Sequence, residues 1–380
     1  MTLKEEIEIL RGEPIKVFDG NPMDIPCIET SDPEKLCKNP VVSVHMITYN
    51  HEPYIRQAIE GVMMQKTDFE FELVIGEDCS QDKTREICFE YQKEYPDKIR
   101  VLWWHENVSK FGGNYRRVTA RCRGEYVAIC EGDDYWTDSF KLQKQVDVLR
   151  QNPNVGLCFT DGKVIFDHGG ESFFWHEKHE IQGGLINGRD FCKWHAFGDE
   201  KRERFPPLTI NTASVMYRAK VEMTAVNSFD IFKWNLSLSD SVLWLGLAAK
   251  SDVWYLDEAT MCYRQNNQGA MQTRGVKVIR DAQLIRCYYS FVVLNMCLSE
   301  MPVWFLDALM HYYMIGQVSK KRSERNLNVR MLLRSTHFRF LFSRFLSWGI
   351  TLYLLMGFAS PRIFHMAVKC FRCARSVSVS

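Results

Sequence analysis

The stretch Val41-Val-Ser-Val-His-Met-Ile-Thr48 is β-branched and apolar, and it stops abruptly at the polar tetrad Tyr49-Asn-His-Glu52. A continuous apolar run bounded in this way reads as a buried strand feeding a loop. The unit repeats downstream. Ile55, Ile59, Val62 and Met63 share one face of a helix expected over 53–64, and a second strand from Phe69 to Ile75 enters the turn Gly76-Glu-Asp-Cys-Ser-Gln-Asp82. A helix is expected from Lys83 to Tyr95, stopped by Pro96-Asp97, then a strand over 99–104, a helix over 114–123 and a strand from Tyr126 to Cys130. Alternation at this interval predicts an α/β fold, a mainly parallel sheet between helices whose ligands gather beyond the carboxyl ends of the strands. Three polar clusters fall at those ends, at 49–52, 77–82 and 131–134.

The chain has 380 residues, and single cores stop growing near about 250–300, so two units are expected. Residues 1–40, broken by Pro14, Pro22, Pro26, Pro33 and Pro40, read as an N-terminal extension. The α/β domain is expected over 41–268 and a helical, basic region over 269–380. Within the domain, 167–207 is rich in Gly, His and charge and reads as a mobile connection. A strand from Ala213 to Tyr217, an amphipathic helix from Asp240 to Lys250 and a strand from Val253 to Leu256 are expected after it.

The net charge of +1 conceals an asymmetry: from Lys320 onward twelve basic residues face one acid, so the tail is near +11 and the first 319 residues near −10. Phe345 to Phe358 is apolar for 14 residues, short of the roughly 20 needed to cross a bilayer. With basic flanks and Trp348, Tyr353 and Phe358, this segment fits a membrane interface or a helical core. No nucleic-acid module accompanies the charge, so nucleic acid is not an expected partner. The thirteen cysteines lack disulfide-framework spacing, and the N-terminus lacks the pattern of a signal peptide. A reducing, cytoplasmic location is expected, on the inner face of the plasma membrane if the tail binds lipid.

The residues Cys130-Glu-Gly-Asp-Asp-Tyr-Trp136 place three carboxylates directly after a strand. Alone, they fit either a solvated turn before the next helix or a seat for Mg²⁺ or Mn²⁺, cations that take oxygen ligands and keep waters and substrate phosphates. Neither G-x-x-x-x-G-K-[ST] nor G-x-G-x-x-G follows Thr48, which excludes a P-loop and a dinucleotide cradle.

Four stretches in order, Thr48-Tyr-Asn-His-Glu52, Gly76 to Asp82, Gly112-Gly-Asn114 to Gly124, and Glu131-Gly-Asp-Asp-Tyr-Trp136, resemble the core of the family 2 glycosyltransferases, which have the GT-A fold. The resemblance implies a nucleotide diphosphate sugar donor and a glycan or lipid-linked acceptor in cell-surface polysaccharide synthesis. It implies that Thr48, Tyr49, Asn50, Glu52 and Asn114 line the nucleotide pocket and that Asp78 contacts the base. The family's D-x-D element corresponds to Glu131-Gly-Asp133, with Asp133 the direct metal ligand, Glu131 its partner on metal or ribose, and Asp134 in support.

Transfer with inversion needs one general base to take the acceptor proton. The family carries it ahead of an apolar helix, a position matched by Asp240 in Leu238-Ser-Asp-Ser-Val-Leu-Trp-Leu245. By the same resemblance Arg264 balances the diphosphate, with Asn266 where the family has a histidine; Asn211, Thr212 and Ser214, just beyond Pro206-Pro207, are expected to face the acceptor. Two other readings remain open: a nucleotidyltransferase on a related fold, and a non-catalytic scaffold at a membrane surface.

Overall fold

A computed structural model describes residues 26–108, 113–167, 169–174, 182–197, 210–221 and 239–265. The order is β1 (Ile28–Thr30), β2 (Val42–Thr48), α1 (Ile55–Met63), β3 (Phe71–Glu77), α2 (Thr84–Glu94), β4 (Ile99–Trp103), α3 (Gly113–Thr119), β5 (Tyr126–Ile129), β6 (Tyr135–Trp136), α4 (Lys141–Gln151) and β7 (Val155–Phe166). It continues through β8 (Phe173–Phe174), β9 (Gly184–Ile186), α5 (Gly188–Phe197), a 3-10 turn (Thr212–Ser214), β10 (Met216–Arg218), α6 (Ser239–Ala248) and β11 (Asp252–Gln265).

These strands form one sheet in the order β1-β4-β3-β2-β5-β10-β7-β11-β6, with β8 on β7 and β9 on β11. The run β4-β3-β2-β5 is parallel, as the strand–helix alternation predicts. β10 then enters antiparallel between β5 and β7, and β11 lies parallel to β7. β3 is buried along its whole length, as sheets covered on both faces require. Val44, Met46, Ile55, Ile59, Val62, Leu73, Ile75 and Ala128 form the core between the sheet and α1 and α2.

At the amino ends of the strands, Glu72 is fully buried and receives bonds from Ser43 Oγ at 2.6 Å, Arg123 Nη2 at 2.6 Å and Arg100 Nη1 at 3.1 Å. A buried carboxylate is tolerated only when paired this completely, so this end of the sheet is structural.

Several sequence expectations are corrected. β1 belongs to the sheet, paired with β4, although it lies in the leading segment. β3 extends through Glu77, and α3 stops at Thr119 rather than Arg123. The 167–207 segment holds β8, β9 and α5 in its described parts. Ala213 lies in the 3-10 turn, with the strand starting only at Met216. The helix at 239–248 is apolar rather than amphipathic, burying Leu243, Trp244, Leu245, Leu247 and Ala248. β11 is a single strand of 14 residues carrying Tyr263 and Arg264 within it. The expected C-terminal helices and the 345–358 segment lie outside the described residues.

Candidate active site

The loops after β2, β3 and β5 converge at the carboxyl edge of the parallel strands. The first two are locked together by side chains. Asn50, at a positive φ of 53°, donates its N–H to Ser80 Oγ at 3.0 Å and accepts from Gln81 N at 2.8 Å. Glu52 N donates to Asp82 Oδ2 at 3.0 Å, and Glu52 Oε2 accepts from Lys83 N at 3.1 Å. Ser80 N in turn donates to Glu77 Oε1 at 2.6 Å, and Glu77 is fully buried against Arg85. Asn50 and Glu52 therefore shape the mouth of the site, and Tyr49 stands at its exposed rim.

Thr48 is buried at the end of β2. Its Oγ1 lies 3.2 Å from His51 Nδ1, while His51 Nε2 lies 3.8 Å from Asp133 Oδ2. His51 thus joins the first loop to the third, a contact for which its place in the Tyr49-Asn-His-Glu52 tetrad gave no distinguishing signal. The third loop is pinned by Gly132 N, which donates to Ile47 O at 3.0 Å. A β-carbon on Gly132 would stand 2.6 Å from Thr48 Oγ1 and 2.9 Å from His51 Nδ1, so the middle residue of Glu131-Gly-Asp133 is glycine because two loops meet there.

Asp78 and Asn114 lie deeper. Asp78 is fully buried and accepts from Val108 N at 2.7 Å, fixing the chain after β4. Asn114 Nδ2 donates to Gly76 O at 2.9 Å.

Glu131, Asp133 and Asp134 interact electrostatically, and Asp240, arriving on α6 from more than a hundred residues away, adds its charge at Glu131. Burial, then the charges of Asp133 and Asp240, push the Glu131 carboxyl up to about 8. Asp134 is raised well above its ordinary value by burial and then by Asp133 and Glu131. Tyr263 borders the same acids, and burial followed by their charges raises its phenol. Thr212 Oγ1 donates toward Asp240 Oδ2 at 3.4 Å and also reaches Glu131. Asn211 and Ser214 are buried within the turn that carries Thr212.

The guanidinium of Arg264 is held on several sides. Its Nε donates to Asp133 O at 3.0 Å, Nη2 to Gln57 Oε1 at 2.8 Å and Nη1 to Asp167 Oδ1 at 3.3 Å. The charge also lies 4.8 Å from the Tyr54 ring centroid and 5.4 Å from that of Tyr135. Tyr54, Gln57 and Asp167 were not legible as site residues, because their partner lies about a hundred to two hundred residues away. Asn266 lies outside the described residues.

The family described as glycosyl transferase family 2 matches residues 43–218, a span holding all three loops and the acid cluster. Those residues belong to glycosyl transferase family 2. The fold of this stretch is the GT-A type, with the three loops at the carboxyl ends of β2, β3 and β5.

An uncharacterised protein of Mycobacterium tuberculosis is 32% identical over 233 residues, 60% of this chain and 60% of that one. TuaG of Bacillus subtilis, named for glycosyl transfer in teichuronic acid biosynthesis, is 34% identical over 130 residues, 34% of this chain and 50% of its own. RfbG of Shigella flexneri, named a dTDP-rhamnosyl transferase, is 34% identical over 127 residues, 32% of this chain and 42% of its own. The chain thus spans about 60% of the length of the first of these relatives.

Among the described residues no three His, Cys, Asp or Glu side chains converge into a ready-made metal shell. Mg²⁺ or Mn²⁺ at a phosphate site needs only one or two protein carboxylates, because the substrate supplies other ligands, and Asp133 and Glu131 are the two that would serve. The repulsion of Glu131 by Asp133 and by Asp240 is what such a cation would relieve. Among the described residues no helix is long and apolar enough to cross a membrane.

Proposed function

We propose that the chain is a metal-dependent, inverting glycosyltransferase that moves a sugar from a nucleotide diphosphate sugar to a hydroxyl of a glycan or lipid-linked acceptor. The observation that carries this reading is Asp240 beside Glu131, with Thr212 reaching both. One site then offers a cation end and, beside it, a carboxylate free of the metal duty. The names of TuaG and RfbG are consistent with polysaccharide assembly and a nucleotide diphosphate sugar, an association rather than a mechanism.

In the proposed step the Asp240 carboxylate takes the proton of the acceptor hydroxyl as its oxygen bonds to the anomeric carbon. The bond from that carbon to the diphosphate oxygen breaks on the opposite face, and its electron pair leaves with the nucleoside diphosphate. Asp133 and Glu131 would hold Mg²⁺ or Mn²⁺, which supplies charge neutralisation for the leaving group. Asp134 orients the loop through Arg264 N, which donates to its Oδ1 at 2.8 Å. A cytoplasmic-face location, with the basic tail on anionic lipid, belongs to the same proposal.

The test incubates the full chain with a panel of nucleotide diphosphate sugars and Mn²⁺, with and without lipid-linked glycan acceptors. One donor should raise the melting temperature and release its nucleoside diphosphate on transfer. Asp240→Asn should retain donor binding and lose turnover. Donor binding and turnover absent throughout, with anionic vesicles still bound, would instead establish the scaffold.

A further inference from the structure

Thr212 sits on a turn held by hydrogen bonds on both of its sides. Asn211 caps the turn by accepting from Ala213 N at 2.9 Å, and Ser214 Oγ donates to Asn211 O at 2.7 Å. Two side chains from the segment following the acid loop then grip its carbonyls. Trp136 Nε1 donates to Ala213 O at 2.9 Å and Gln145 Nε2 to Ser214 O at 2.9 Å. Lys141 secures both, donating to Gln145 Oε1 at 2.6 Å with its ammonium 4.5 Å from the centroid of a Trp136 ring. Lys141, Gln145, Ala213 and Ser214 are all buried, so these bonds are shielded from competing water.

The turn and the Glu131–Asp134 loop are therefore braced by the same β6–α4 segment, while Asp240 comes in on a separate helix. Thr212 is the tie between them. A hydroxyl has a single proton to give, and here it has two carboxylates in reach. When Glu131 serves a cation, the proton is left for Asp240.

We infer that Thr212 is a positioning residue that orients the Asp240 carboxylate toward the acceptor, acting through its hydroxyl and the braced turn. This inference rests on the proposed function and names a residue through which its base is aimed. Orientation is a property of the reacting complex rather than of donor binding, so its loss falls on kcat.

The experiment compares Thr212→Val, of nearly the same shape, with Thr212→Ser, which keeps the hydroxyl, in the full chain with donor, Mn²⁺ and acceptor. Thr212→Val should lower kcat by about 10- to 100-fold with donor KM within about twofold and an unchanged melting temperature. Thr212→Ser should recover most of the rate, and in an Asp240→Asn background Thr212→Val should add little, since the two act as a unit. An unchanged kcat in Thr212→Val, a loss confined to donor KM, or a loss equally large in Thr212→Ser overturns the inference while leaving the proposed function in place. If Asp240→Asn itself turns over normally, the function as proposed has failed and the inference falls with it.

Discussion

The backbone N–H of Arg264 donates to Asp134 Oδ1 at 2.8 Å, while the Arg264 guanidinium donates to the carbonyl of Asp133. One residue near the end of β11 thereby fixes two consecutive residues of the acid loop. Asp134 is almost fully buried, so its carboxylate serves the protein's own geometry.

Asp134→Ala should cost about 1–3 kcal/mol of stability, because the Arg264 N–H loses its acceptor in a buried place. Asp134→Asn keeps an acceptor oxygen and removes a charge that burial opposes, so it should cost less. Urea denaturation of the two variants reads the difference directly.

Chelation of divalent cations should abolish transfer in the wild type, and Mn²⁺ should restore it. In Asp133→Asn the rate should be lower by about 10² or more at the same Mn²⁺ concentration, with partial recovery only at much higher Mn²⁺. A Mn²⁺ titration of initial rates checks both.

Gly132→Ala should disturb the site more than a methyl group normally would. The added carbon would lie 2.7 Å from Thr48 Cβ, a branch point that cannot swing aside, so the loop must shift. The expected result is a destabilisation of about 1–3 kcal/mol and a rise in donor KM, seen by thermal unfolding and steady-state kinetics.

Lys141 gives the stability a pH dependence. Burial lowers its ammonium to about 7 from 10.5. Between those values the unfolded chain binds the proton and the folded chain does not, so stability rises with pH across this window, and the full cost of the buried charge applies below pH 7. Lys141→Met should therefore be more stable than wild type at pH 6 by on the order of a few kcal/mol, with the margin closing toward pH 10. Its kcat should fall, because the turn loses the brace on Gln145 and Trp136. Melting curves from pH 6 to 10 provide the check.

The parallel half of the sheet was legible because each of its strands carries its own signal. Val42–Thr48 and Tyr126–Ile129 are apolar runs ending in polar loops, and no distant partner is needed to recognise them. The antiparallel half was not. β10 is three residues long, and β11 is interrupted by register shifts on either side of Ala259, which break the alternation a strand normally shows. Ala213-Ser-Val-Met-Tyr217 reads as one strand, yet its first residues lie in a turn held by Trp136 and Gln145, which lie about seventy residues earlier.

The sequence alone determined the strand–helix alternation, the three polar clusters and the Glu131-Gly-Asp-Asp134 acid loop, because hydrophobic periodicity and turn chemistry act over neighbouring residues. Only the tertiary structure decided that Asp240 meets Glu131 across Thr212, that His51 faces Asp133, and that Arg264 binds the acid loop from behind. Those contacts depend on strand order and on bonds spanning up to about two hundred residues. No local pattern encodes that geometry.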